Sequence, residues 1–168
     1  MTGTTPDDEA RASARLAETG SAIVAGVEAQ TPKWAHDQVE RLLDAWGRAP
    51  ADARARAEAE SATAGEASAG RIVAELRALF ALDPEKQGAT PLEIVRTVYR
   101  EPTVVLEAAG VPPVLRDEFD ERAWPDDVYG LVPRTLGDLG DPDLGPLHLA
   151  WGMAKAAVIR ARRARTEQ

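Results

Sequence analysis

Residues 71–82, Arg71-Ile72-Val73-Ala74-Glu75-Leu76-Arg77-Ala78-Leu79-Phe80-Ala81-Leu82, set Ile72, Val73, Leu76, Leu79 and Phe80 at three- and four-residue spacing. That is the period of one helix face. Asp83-Pro84 closes the element. Upstream, from Ala51 to Gly70, alanine is the only apolar residue. Alanine favours helix but buries little area, so this half either packs closely on a neighbour or lies largely in solvent. Residues 51–82 therefore read as one long helix, with Gly65 and Gly70 as points where it could break.

Helix starts are written on both sides of this stretch. Thr31-Pro32 and Thr90-Pro91 each put a hydroxyl before a proline, and proline at the first helical position loses nothing because its missing N–H would be unpaired there. Thr90-Pro91-Leu92-Glu93 is also a capping box, with Glu93 placed to reach back to the Thr90 amide. Thr5-Pro6-Asp7-Asp8 reads the same way, with two acids at the positive end of the dipole. A first helix is expected from about Asp7 to Ala29, with a face of Leu16, Ile23, Val24 and Val27. Gly20 and Gly26 lower its rigidity by roughly 1 kcal/mol each relative to Ala. A second helix is expected from Pro32, with Ala35, Val39, Leu42, Leu43 and Trp46 inward, ending at Gly47 and Pro50.

Beyond a polar loop at Glu85–Ala89, a helix is expected from Pro91 to Arg100, with Leu92, Val95, Val98 and Tyr99 inward. Pro102 forces a kink or restart. Val104, Val105, Leu106 and Ala109 continue an apolar turn or two up to Gly110. Pro112-Pro113 opens a short segment with Val114, Leu115 and Phe119. Residues 124–146 hold four prolines and four glycines. They also hold Trp124, Val128, Tyr129, Leu131, Val132, Leu136 and Leu139, too apolar a set for a disordered linker. An ordered loop plugging one end of the core is expected. The last helix is expected from about Pro146 to Arg165, with Leu147, Trp151, Ala154 and Val158 buried. The assembled expectation is an all-α fold: an irregular bundle of five or six helices in a single domain over 1–168, with 1–30 loosely attached.

Composition agrees and removes functions. The chain has 168 residues, 44% apolar and 29% charged, the balance of a globular protein. Thirty-two alanines, seventeen arginines and three lysines point to a GC-rich genome and favour helix. There is no cysteine, which excludes disulfide, thiol and thiolate-metal chemistry. Only His36 and His148 supply imidazole, which excludes a three-histidine site. No apolar run is long enough to span a membrane, and Met1–Asp8 does not read as a leader, so a cytoplasmic address is expected.

The constellations that could carry chemistry are few. Asp138, Asp141 and Asp143 fail the calcium-loop pattern, because Gly145 and Gly152 stand where ligands belong. They read as turn and capping residues. Gly137-Asp138-Leu139-Gly140 lacks the Lys and the strand of a phosphate cradle. His36 and Glu40 share a helix face, and a metal site with His148 is conceivable, but exposed or rim positions explain both histidines better. Ser13, Ser21, Ser61 and Ser68 sit in Ala-rich helices without a nucleophile elbow. Trp34, Trp46, Trp124 and Trp151 read as packing anchors before ligand-stacking rings. No catalytic residue, metal or cofactor is assigned.

Lys155–Arg165 carries five positive charges, whereas Arg116–Asp143 sums to −6 and the whole chain to −8. That balance is opposite to a nucleic-acid binder's, and pairing of the basic end with the acidic segment, within the chain or between subunits, is at least as natural a use as an external ligand.

Two stretches, Thr90-Pro91-Leu92-Glu93-Ile94-Val95-Arg96-Thr97-Val98-Tyr99-Arg100-Glu101-Pro102 and Trp124-Pro125-Asp126-Asp127-Val128-Tyr129-Gly130-Leu131-Val132-Pro133-Arg134, resemble small helical proteins of high-GC actinobacteria. The resemblance spans about residues 71–161 and implies no activity. The residues themselves favour a non-enzymatic interaction or regulatory protein, with a protein partner or self-association. The alternative is a binder of a small anionic ligand, or an enzyme, with a pocket between the last helix and the 124–146 loop. Tyr129, Arg134, His148 and Trp151 would line that pocket, Arg134 offering a bidentate guanidinium. In either case Trp151 is expected to anchor the core, with its indole N–H on a loop carbonyl.

Overall fold

A computed structural model describes residues 6–46, 50–98 and 132–166. Every regular element among them is helical: α1 (Pro6–Trp46), α2 (Ala51–Ala81), α3 (Pro91–Val98) and α4 (Leu144–Thr166), with single 3-10 turns at Pro84–Lys86 and Leu136–Leu139. The all-α expectation holds. Four helices replace the expected five or six among the described residues, for two reasons. The first and second expected helices are one, and the expected segments around 104–109 and 114–119 lie outside the described residues.

The fusion at Thr31-Pro32 is the main departure. Pro32 lies inside a helix of 41 residues. Thr31 does not cap a helix start. It is buried, and its hydroxyl donates back to the Val27 carbonyl at 2.7 Å, four residues earlier on the same helix. An internal proline costs roughly 3 kcal/mol through its lost hydrogen bond and its ring. What offsets that cost is the partner helix. A methyl group on Gly65 would lie 2.9 Å from Pro32 Cα, 3.1 Å from Pro32 O and 3.3 Å from Ala35 Cβ. The two backbones therefore touch at this point.

The Ala-rich half of α2 makes that approach possible. Ala53, Ala57, Ser61, Gly65, Ser68 and Ala69 are buried on α2. They face α1, which carries Ala35, Val39 and Leu43 in the core. Of the two readings open for Ala51–Gly70, close packing is the one the molecule uses. The buried hydroxyls are satisfied locally: Ser61 donates to Glu58 O and Ser68 to Ala64 O, both at 2.8 Å.

Past Gly70 the small face gives way to large residues, and the main core begins. Ile72, Val73, Leu76 and Leu79 of α2 meet Leu16, Ile23, Val24 and Val27 of α1, Val95 of α3, and Leu144, Trp151, Ala154 and Val158 of α4. Leu136 and Leu139, from the 3-10 turn before α4, close one end. Residues 124–131 of the loop expected to plug the core lie outside the described residues. Residues 1–30 were expected to be loosely attached, yet their described part contributes Leu16, Ile23, Val24 and Val27 to the core.

The two glycines of α1 act as seats rather than weak points. A methyl on Gly26 would lie 2.5 Å from Leu144 Cδ2, and one on Gly20 would lie 3.2 Å from the Phe80 ring. Gly26 beside Leu144, and Glu9 bonded to Arg162, show that α1 and α4 run antiparallel.

The expected capping box is present. The Thr90 amide donates to Glu93 Oε2 at 2.6 Å, and the Glu93 amide donates to Thr90 Oγ1 at 3.3 Å.

The α1–α2 contact predicts opposite outcomes for two glycines of one helix. Gly65→Ala puts a methyl against backbone, so it should destabilise by about 1–3 kcal/mol. Gly70 has open space where its Cβ would be, so Gly70→Ala should stabilise by up to about 1 kcal/mol. Urea denaturation of the two variants beside the parent chain checks both.

Candidate functional site

Three of the four residues proposed from sequence, Arg134, His148 and Trp151, are described. Tyr129 lies outside the described residues. Arg134 is exposed, and its main chain is held by Asp138, whose Oδ2 accepts from the Arg134 amide at 2.9 Å and the Thr135 amide at 2.7 Å. Trp151 is 3% exposed and belongs to the core. Its ring meets Phe80 at 5.9 Å and stacks on His148 at 6.3 Å, 8° from parallel. Lys155 Nζ lies 5.3 Å from the indole centroid, a cation–π distance, and donates to Gln87 O at 2.6 Å. The anchor role of Trp151 is thus as expected. Its N–H is not: among the described residues Nε1 is buried without a hydrogen-bond partner.

His148 sits half-buried between this stack and α3. Burial holds its pKa below the ordinary imidazole value, and the nearby Glu93 carboxylate opposes that shift. Its Nε2 is buried and has no hydrogen-bond partner among the described residues. A charged imidazolium there would leave one N–H without an acceptor, so the neutral ring fits better.

His36 is held elsewhere, on the α1–α2 contact. Its Nδ1 lies 2.9 Å from Ser61 Oγ and its Nε2 lies 3.4 Å from Glu40 Oε1. The array resembles a nucleophile–base–acid relay, but Ser61 is fully buried and its proton goes to Glu58 O. Ser61 therefore accepts from the imidazole, and its oxygen has no path to a substrate. The conceivable site of His36, Glu40 and His148 is not assembled: among the described residues no group of three His, Asp or Glu converges. The aspartates of the loop do the turn work expected of them. Asp141 Oδ1 accepts from the Asp143 amide at 2.9 Å, as Asp138 does from its two amides.

The basic end of α4 pairs within the chain, though with partners the sequence did not point to. Arg162 donates to Glu9 at 3.0 Å and to Asp83 at 2.6 Å, and Arg165 meets Glu9 at 2.9 Å. The Arg162 guanidinium, then the Glu85 amide, hold the Asp83 carboxyl below its usual range.

Open grooves flank α4, and two of them bear on the choice of site. The smaller, ≈ 560 Å³, lies between the 132–143 loop and α4, where the sequence placed a pocket, and is lined by Leu92, Thr135, Asp138 and His148 among others. Its charged group is a carboxylate. The larger, ≈ 900 Å³, follows the seam between α1 and α4 and extends across α4 to His148 and Thr90. Its floor is small and apolar (Ala12, Ala150, Ala154, Ala157), and Arg11, Arg15 and Arg160 stand on its rim. Leu149 and Met153 line it while remaining 66% and 65% exposed.

This surface was legible in one respect that sequence reasoning passed over. Leu149 and Met153 are four residues apart on α4 and fall off the Leu147, Trp151, Ala154, Val158 stripe. An apolar pair on the wrong face of an amphipathic helix marks a second contact surface. No helix among the described residues is long and apolar enough to cross a membrane. No protein-family model, curated protein or solved structure matches this chain.

Two measurements follow from the Trp151 stack. Trp151→Ala should cost about 3–5 kcal/mol, and Trp34→Ala, a half-buried site beside the core, clearly less. Paired urea titrations decide the order. For His148, the lowered folded pKa means that the unfolded chain takes up the proton first. The stability it contributes is complete above pH 6.5 and is lost as pH falls from there toward the folded value. His148→Phe should flatten that part of the stability–pH curve, read by denaturation at half-unit steps from pH 7.5 to 5.

Proposed function

We propose that this chain is a non-enzymatic helical interaction or regulatory protein of the cytoplasm, and that the α1–α4 seam is its contact surface. The observation that carries this is the exposure of Leu149 and Met153 beside an apolar groove, on a helix whose opposite face is fully committed to the core. Scattered apolar side chains need no explanation, but a contiguous pair at the edge of an apolar groove marks a binding surface. The rest of the chemistry is spent structurally: Ser61 and His36 on each other, the aspartates on turns, and Arg162 on Glu9 and Asp83. The resemblance of residues 71–161 to small helical actinobacterial proteins is compatible with a cytoplasmic address.

A second reading, a small anionic ligand between α4 and the loop, draws on the groove found at that place. The Asp138 carboxylate on its wall opposes an anion, so the seam is the stronger candidate.

The test is a photo-crosslinking residue placed at position 153 in cells, with exposed position 66 on α2 as control. A discrete product from 153, absent from 66 and lost in Leu149→Glu, is the expected result. A chain that stays monomeric and uncrosslinked across growth conditions would overturn the proposal.

A further inference from the structure

We infer that the α1–α4 seam takes an acidic amphipathic helix of another protein, laid along the groove with its apolar side on Leu149 and Met153. This rests on the seam being the contact surface and adds the chemistry of what binds there.

The shape of the groove comes first. Its walls are two antiparallel helices, and its floor is alanine: Ala12 on α1 and Ala150, Ala154 and Ala157 on α4. Helix pairs pack at interaxial distances of about 8–10 Å, and small residues at the contact allow the lower end of that range. The α4 wall runs from Pro146 to Arg160. At 1.5 Å per residue that is roughly 21 Å, the length of a helix of about four turns. Leu149 and Met153, one turn apart, match anchors at i and i+3 or i+4 on a guest helix.

Charge then selects the occupant. Arg11 and Arg15 rise from α1 one turn apart, and Arg160 stands on α4 across the groove. None of the three forms an ion pair with another described residue. This distinguishes them from Arg162 and Arg165, which are bonded to Glu9. Two acids share the seam. Asp8 lines the groove and is engaged in an interaction, and Glu18 lines the adjoining groove beside Arg11, Arg15 and Leu147. Along the seam the three arginines outnumber the two acids, on a chain whose net charge is −8. Cations bordering an apolar strip complement a helix with acidic flanks and an apolar face, and they steer its approach.

The same charges disfavour the other occupants. A two-fold contact of this face with a second copy sets like patches against each other, arginine rim to arginine rim. A lipid surface meets the −8 chain as a whole, and its flat plane does not fill a groove between two helices.

The probe is a fluorescein-labelled 18-residue synthetic helix with leucine at i, i+3, i+4 and i+7 spacing and glutamate at the outer positions. Binding to the full chain is read by fluorescence polarisation. Its controls are the same peptide with lysine for glutamate, a peptide of the same composition scrambled to alternation, and vesicles containing phosphatidylglycerol.

The expected result is micromolar binding of the acidic helix alone. Affinity should fall at least tenfold in Met153→Glu and in the Arg11→Glu/Arg15→Glu pair, and severalfold between 50 and 300 mM salt. Both sets of positions are exposed, so unchanged circular dichroism and melting temperature will show that the variants fold. Equal binding of the lysine or scrambled peptide, preference for the vesicles, or no binding at millimolar probe would overturn the inference. So would a dimer in sedimentation that Leu149→Glu dissolves, since the face then belongs to a second copy. If position 153 crosslinks a partner in cells while the acidic helix fails to bind, the contact surface stands and only its chemistry is wrong. If both fail, the surface itself is wrong.

Discussion

The contact of Gly65 with the Pro32 backbone sets the terms for the rest of the molecule. A helix that carries an internal proline and a threonine bonded back to its own turn has reason to end or bend there. It continues because a second helix lies against it with nothing but small side chains between. From this crossing the two helices run together in both directions. Toward the Trp46 end of α1 the α2 side of the seam is alanine and serine, packed on Ala35, Val39 and Leu43 of α1. Toward the Pro6 end it widens into the leucine, isoleucine and valine core where α3, α4 and the Leu136–Leu139 turn attach. Tight at one end and wide at the other, the pair presents one place where further helices can be received.

Local signals in the sequence were reliable where the chain is also locally determined. The Thr90–Glu93 capping box formed as read, because all its bonds lie within four residues. The stripes Ile72–Phe80 and Leu147–Val158 were readable because periodicity reports which face is buried without saying against what. Thr31-Pro32 misled for the complementary reason. Its chemistry is that of a cap, but the deciding contact comes from Gly65, 33 positions away. The glycines at 20 and 26 looked like flexible joints. Their use as seats for Phe80 and Leu144 depends on helices that no local window contains.

The site was less legible than the fold. His148 and Trp151 stack on each other, and Trp151 belongs to the core. The basic run at the end of α4 was expected to meet the acidic 116–143 segment, within the chain or between subunits; among the described residues it meets α1 and the turn after α2. Its partners are Glu9 and Asp83 because antiparallel packing brings the α1 start and the α2 end to it, a fact of topology that charge counting cannot supply. Leu149 and Met153 left a trace in the pattern, as apolar residues out of phase, and only the exposed face of α4 gives that trace a meaning.

The Arg162 clasp has a consequence for motion. One guanidinium holds a carboxylate on the first turn of α1 and another on the turn after α2. Ends of helices normally fray independently, each with its own small opening free energy. Here the three ends share a single cation, so lifting the last turns of α4 releases the other two at once. Amide protons at the start of α1, around Asp83 and near Arg162 then belong to one opening unit and exchange on a common clock.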